Sequence, residues 1–240
     1  MPVYAALSAQ ARERAIRFVA HDCLPAGEAY ESFIARTGTI PTRDNPHDFF
    51  NGLVWLAFPQ AKRRLNDLQA AEIARRGVGP TRGPLRDALT LFDENGAVLD
   101  APPALWEALL AREWQRLFIE QRALWRQARL LVFGHALMEK LLAGRKDATA
   151  HVLLAPPGGG AAAQAPSAPS LAPEDAAIAT ALQPAHLAQK PFTPLPILGV
   201  PGWCKSNEDF CFYDDPQVFR PRRTPERTTP KTSARDRCAA

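Results

Sequence analysis

A proline at position 59 constrains this chain more than any other residue, because it falls inside the first strong amphipathic run, residues 47–76. Proline has no N–H to continue a helix, and its ring disfavours helix at the preceding residue, Phe58. The run HDFFNGLVWLAFPQAKRRLNDLQAAEIARR therefore reads as a helix kinked or restarted at Pro59. Phe50, Leu53, Val54, Ala57 and Phe58 mark one apolar face before it. Leu65, Leu68, Ala71 and Ile73 continue the pattern after it, until Gly77 and Gly79 stop it.

The rest of the chain reads around this segment. Residues 8–20 carry Ala11, Ala15, Phe18 and Val19 at helical spacing behind Ser8, which predicts an amphipathic helix with Ser8 as N-cap. A short helix is expected over 26–36, ending before Gly38, and a loop with two prolines over 39–46. Asn95-Gly96 sits between β-capable runs and predicts a two-residue hairpin within 85–100. Residues 103–143 read as helix again, with Pro103 at the first helical position and Gly144 as the stop. That span is long for one helix, so a break is expected between Arg126 and Leu130. Val152 to Leu154 reads as a short extended piece, and residues 173–183 as a short helix opened by Pro173, Glu174 and Asp175. Residues 191–219 are rich in Pro, Gly and aromatics and read as a long ordered loop that needs an apolar surface for its rings.

The resulting fold class is mainly α: a helical domain with one short β-hairpin and a long ordered C-terminal loop. Four segments are expected. Residues 1–154 form the helical core with hairpin, and 155–171 (beginning APPGGGAAAQ) a low-complexity linker. Residues 172–221 return to the core as a short helix and loop, and 222–240 form a disordered basic tail. Charge supports that last division. The net charge is +4, yet residues 220–240 hold seven basic residues against two acidic ones, leaving the remainder close to neutral. Nucleic acid is thus a partner only through the tail, the competing reading being a solvated end.

Cys23, Cys204, Cys211 and Cys238 show no CxxC or zinc-finger spacing. The N-terminal apolar run lacks a basic n-region, so no signal peptide is expected, and no stretch has the length and hydropathy of a membrane span. Free thiols and a cytoplasmic location follow as expectations. No Walker A, GxGxxG, GxSxG, kinase or RNP-like pattern occurs.

The motifs resemble a family. His47-Asp48-Phe49-Phe50-Asn51 with Leu53-Val54-Trp55 comes first, followed by Phe58-Pro59 with Lys62, Leu65 and Asn66. Residues 86–96 (RDALTLFDENG) and 132–137 (VFGHAL) with Glu139-Lys140 come next. Leu198 to Trp203, Asn207-Glu208-Asp209, Phe212 to Asp215 and Val218 to Pro221 complete the set. Together they resemble the uncharacterised bacterial family called domain of unknown function three thousand and twenty-five, over most of residues 40–221. Met138, Cys204 and an expanded linker depart from its pattern. The resemblance implies no activity, cofactor or site.

Three constellations remain as candidates for chemistry. His47, Asn51, Trp55, Phe58, Lys62, Asn66 and Gln69 recur every three or four residues and share one face of an unbroken helix. The competing reading is that His47 and Asp48 cap the helix and Asn66 ties down a loop. His135 and Glu139 stand four apart, which suits half of a metal site or a base with its orienting carboxylate. The competing reading is a structural pair around a buried His135, with Gly134 admitting another segment close by. Glu208, Asp214 and Asp215, with Asn207 and Asp209, gather oxygens that suit a hard cation, against a reading as turn formers.

The candidate catalytic residues are therefore His47, Asn51, His135 and Glu139. Trp55, Lys62, Asn66, Trp203, Asn207 and Tyr213 are the ligand-binding candidates, and Glu208, Asp214 and Asp215 the metal-ligand candidates. No cofactor is indicated. The leading functional expectation is a protein that binds a small ligand or another protein without catalysis. The alternative is a metal-assisted hydrolase in which His47, His135 and the 207–215 loop converge.

Overall fold

The computed structural model describes residues 1–11, 16–77, 83–155 and 171–222. Helices α1 (Val3–Gln10) and α2 (Tyr30–Thr37) flank strand β1 (Arg17–Ala20), which pairs in parallel with β2 (Thr39–Thr42). Then come α3 (Pro46–Ala57), α4 (Pro59–Arg76) and α5 (Pro84–Asn95), which runs directly into β3 (Gly96–Asp100). Helix α6 (Pro103–Ala111) is followed by irregular turns, strand β4 (Arg129–Val132), α7 (His135–Leu142) and β5 (Thr149–Leu153). The chain closes with α8 (Ala172–Ala181), α9 (Pro184–Leu187), β6 (Phe192–Pro196) and several 3₁₀ turns up to Asp214.

The main sheet has the order β4-β3-β5-β6, with β3 antiparallel to β4 and parallel to β5. Both of its faces are covered. Ala97, Leu99, Val152 and Leu195 look into a core built with α6, Trp114, Phe118, Tyr213 and Phe219. Val98, Leu153 and Phe192 alternate to the other side, where Phe92 and Phe133 stack and α3, α4, α5 and α8 pack. A third cluster joins Leu7, Phe18, Ile34, Ile40 and Trp55 beneath the small sheet.

Helix dominates, as expected, but the fold class is corrected: two sheets, of two and four strands, stand in place of one short hairpin. Asn95-Gly96 is a helix-to-strand junction, because Ala88, Leu89 and Phe92 hold the preceding residues helical with fully buried side chains. A Cβ on Gly96 would run into the Phe92 carbonyl and ring. The two runs flanking the junction never pair with each other; β3 finds β4 and β5 instead. The helix expected over 8–20 lies elsewhere. It begins at Val3 and ends at Gln10, with Ser8 inside it, donating from Oγ to Phe18 O on β1. The loop expected over 39–46 contains β2, and the break expected after Arg126 contains β4. The long C-terminal loop is also corrected, since its first part is β6. Pro194 and Pro196 are tolerated there because β6 is an edge strand, where alternate N–H groups have no partner to meet.

Several local expectations hold. Pro59 ends α3 at Ala57 and starts α4, and Gly38 caps α2 with φ +68°. Helix α8 lies on α4, and Trp114 Nε1 donates to Arg220 O at 2.8 Å. Most of the expected linker and tail, residues 156–170 and 223–240, lies outside the described residues. No described helix is long and apolar enough to cross a membrane.

Candidate metal centre

The ends of three helices meet at one point. Asn45 caps α3 by accepting from Asp48 N at 2.7 Å, and Pro46 supplies the first helical position. Asp48 turns away to Arg43, so neither His47 nor Asp48 makes the cap. The His47 ring faces α7, whose first residue is His135. Gly134 brings that helix start against the end of α5, where a Cβ would lie 2.5 Å from Asn95 Cα, and its N–H donates to Gly96 O at 2.8 Å. The close approach sets His135 beside Asp93 and Glu94 in the last turn of α5.

His47 Nε2 and His135 Nε2 are 3.0 Å apart, and Glu94 Oε2 is 3.5 Å from His135 Nε2. One ligand atom from each of His47, Glu94 and His135 lies within 4.8 Å of the other two. Two ligand atoms on a tetrahedral zinc ion stand about 3.4 Å apart, so the spacing suits a shared ion. The other nitrogens turn to carboxylates. His47 Nδ1 faces Glu139 Oε2 at 3.3 Å, and His135 Nδ1 faces Asp93 Oδ1 at 3.8 Å. His135 is 3% exposed, whereas the His47 and Glu139 side chains are 36% and 45% exposed, so the group opens to solvent on one side.

Burial drives the His135 pKa down to about 4, against the pull of the Asp93 carboxylate and aided by Lys62 and His47. Its imidazole is thus neutral at neutral pH, the form that ligates metals. Burial, and then Asp93, raise the Glu94 carboxyl above its usual range, with His47, Lys62 and Lys140 opposing. Acidic residues in the last turn of a helix also oppose its macrodipole, so Asp93 and Glu94 sit where the fold alone disfavours them.

Behind the imidazoles, Lys62 is 3% exposed. Its Nζ donates to Asp93 Oδ1 at 2.5 Å and Asn51 Oδ1 at 2.7 Å and lies over the Trp55 ring, while Asn51 Nδ2 donates to the Tyr30 hydroxyl.

The structure therefore brings together His47, Asn51, Trp55, Lys62, His135 and Glu139 from the expected set, with Glu139 paired to His47 rather than to His135. Asn66 is apart, donating to Glu31 O. The 207–215 loop does not join the group. Asn207 donates to Leu198 O and Val200 O and accepts from Arg122, and the Tyr213 hydroxyl bridges Arg122 and Gly199 O. Both residues pin the loop to the opposite core. Trp203, Glu208 and Asp214 are exposed, and Asp215 pairs with Lys146. Among the described residues, the expected cation ligands form no group of three. Sequence reasoning missed Asp93 and Glu94, because the hairpin assignment removed them from a helix end.

Fold and site together define a mainly helical protein with two sheets and an open His, His, Glu group. The chain belongs to the DUF3025 family, a family of proteins of unknown function, whose model matches residues 16–223. No curated protein and no solved structure matches the chain.

Proposed function

We propose that this protein binds one divalent transition-metal ion, zinc being the first choice, and uses it for hydrolysis. The observation that carries the reading is the convergence of His47 Nε2, His135 Nε2 and a Glu94 oxygen from three helices, with each imidazole's second nitrogen turned to a carboxylate. Three protein ligands and an exposed side are the pattern of catalytic rather than structural zinc, since they leave a position for water. An ion so held lowers the pKa of its bound water to about 7 and supplies hydroxide near neutral pH. His47 and His135 hold the ion, Glu94 completes the set, and Glu139 orients His47 at the solvent edge.

The test is a calorimetric titration of chelator-treated protein with Zn²⁺, Mn²⁺ and Fe²⁺, followed by a screen of chromogenic carboxyl and phosphate esters. One equivalent of ion should bind tightly, His135→Ala and Glu94→Gln should abolish binding, and hydrolysis should need the ion. Stoichiometric binding without hydrolysis would reduce the protein to the binding role expected first. Absence of stoichiometric binding would remove the proposal altogether.

A further inference from the structure

The centre rests on a charge pair, Lys62 buried and Asp93 partly buried, that the proposed chemistry does not itself use. Lys62 from α4 and Asp93 from α5 are in contact at 2.5 Å behind His135, away from the solvent side. Burying such a pair is not a means to stability, because apolar residues of similar volume serve a core as well or better. The arrangement has a local use. His135 Nδ1 is buried and makes no hydrogen bond of ordinary geometry; it lies near the Asp93 backbone carbonyl, and the carboxylate nearest it is also that of Asp93. A closure of under about 1 Å brings Asp93 Oδ1 into hydrogen-bond range of Nδ1–H. Lys62, fixed by Asn51 and the Trp55 face, holds that carboxylate and balances its charge. The partner imidazole has the same support from Glu139.

Resting on the metal reading above, we propose that Asp93 is a positioning residue for the ion. It accepts from His135 Nδ1–H, fixes the tautomer that presents Nε2 to the metal, and is itself held by Lys62. Carboxylates placed behind ligating imidazoles raise ligand basicity and fix ring orientation, and losing one costs 10–100-fold in metal affinity.

The experiment compares Zn²⁺ dissociation constants, and the visible absorption of the Co²⁺-loaded protein, for wild type, Asp93→Asn, Asp93→Glu and Leu65→Ala. Leu65 is a buried core residue on α4 with no part in the centre, so its truncation reports general softening. Asp93→Asn should weaken zinc binding about 10–100-fold and shift the Co²⁺ spectrum. Asp93→Glu should recover part of the affinity, and Leu65→Ala should change neither readout. If Asp93→Asn fails to fold, the double variant Lys62→Met with Asp93→Leu removes both charges and should show the same loss. Wild-type affinity and spectrum in a folded Asp93 variant, or an equal loss in Leu65→Ala, would overturn the role of Asp93 while leaving the metal reading intact. Failure of wild type to bind any ion would overturn both, and is seen before any variant is compared.

Discussion

His47 and His135 touch nitrogen to nitrogen at 3.0 Å although 88 positions separate them in the chain. Each is at the start of its own helix, α3 for His47 and α7 for His135. Two imidazoles held this way are either sharing one proton or sharing one ion, and the consequences differ in measurable ways.

The first consequence concerns His47→Ala. The ring is partly exposed, so without metal the variant should keep wild-type stability within about 0.5 kcal/mol. With zinc at 100 times the wild-type Kd, wild type should gain about 2.7 kcal/mol, and the variant should gain almost none. Thermal melts with and without zinc measure both. An equal gain in the variant would place the ion elsewhere.

The pH dependence of the chelator-treated protein follows from His135. Its folded pKa is about 4 against 6.5 for a free imidazole. Between those values the unfolded chain binds a proton that the folded chain refuses, so stability falls as pH drops from about 6.5 to about 4 and then levels. The contribution is roughly 3 kcal/mol. Urea titrations across this window should show the fall in wild type and a flatter profile in His135→Gln, the difference isolating this group from other titrations.

Gly134→Ala tests the close approach that aligns the centre. The added methyl meets the Asn95 backbone, which cannot swing aside as a flexible side chain would. The variant should lose about 2 kcal/mol of stability and bind zinc more weakly, because the next residue is His135. Equilibrium unfolding and calorimetry read the two effects, and a variant unchanged in both would refute the packing argument.

Asp175 closes the N-terminus of α4 by accepting from Gln60 N and Ala61 N at 2.9 and 2.8 Å. Asp175→Ala should cost about 2 kcal/mol in urea unfolding, at the upper end for a helix cap, since the buried Ala61 N–H loses its acceptor. A loss near zero would mean that water replaces the carboxylate.

Local signals carried far in the sequence where one residue decides the backbone. Pro59 divided two helices, and Gly134 marked a close approach before its partner was known. Strands were harder to read for a physical reason. β4 (RLLV) is apolar without a break after Arg129 and half-buried along its length, and β5 (TAHVL) alternates over only five residues, so neither run separates strand from helix by its period. Asn95-Gly96 has ordinary hairpin chemistry, and only the burial of Ala88, Leu89 and Phe92 decided against it. That error hid Glu94. Asp93 and Glu94 at the end of a correctly drawn helix would have stood out as charges opposed to the dipole. The 207–215 carboxylates misled in the opposite direction, since turns and hard-cation sites draw on the same residues.

The reach of Asp175 back to α4 bears on how the chain is made. Gln60 emerges from the ribosome 115 residues before the carboxylate that satisfies it. At ordinary synthesis rates that interval is on the order of ten seconds. Strand β6, which covers the outer side of β5, emerges later still. A nascent chain stopped before residue 175 therefore carries both an open helix end and a bare strand edge at Thr149–Leu153, the kind of edge that pairs with other chains. Translation through the last third of the sequence is what caps α4 and replaces that edge by β6, whose prolines leave it a poorer template.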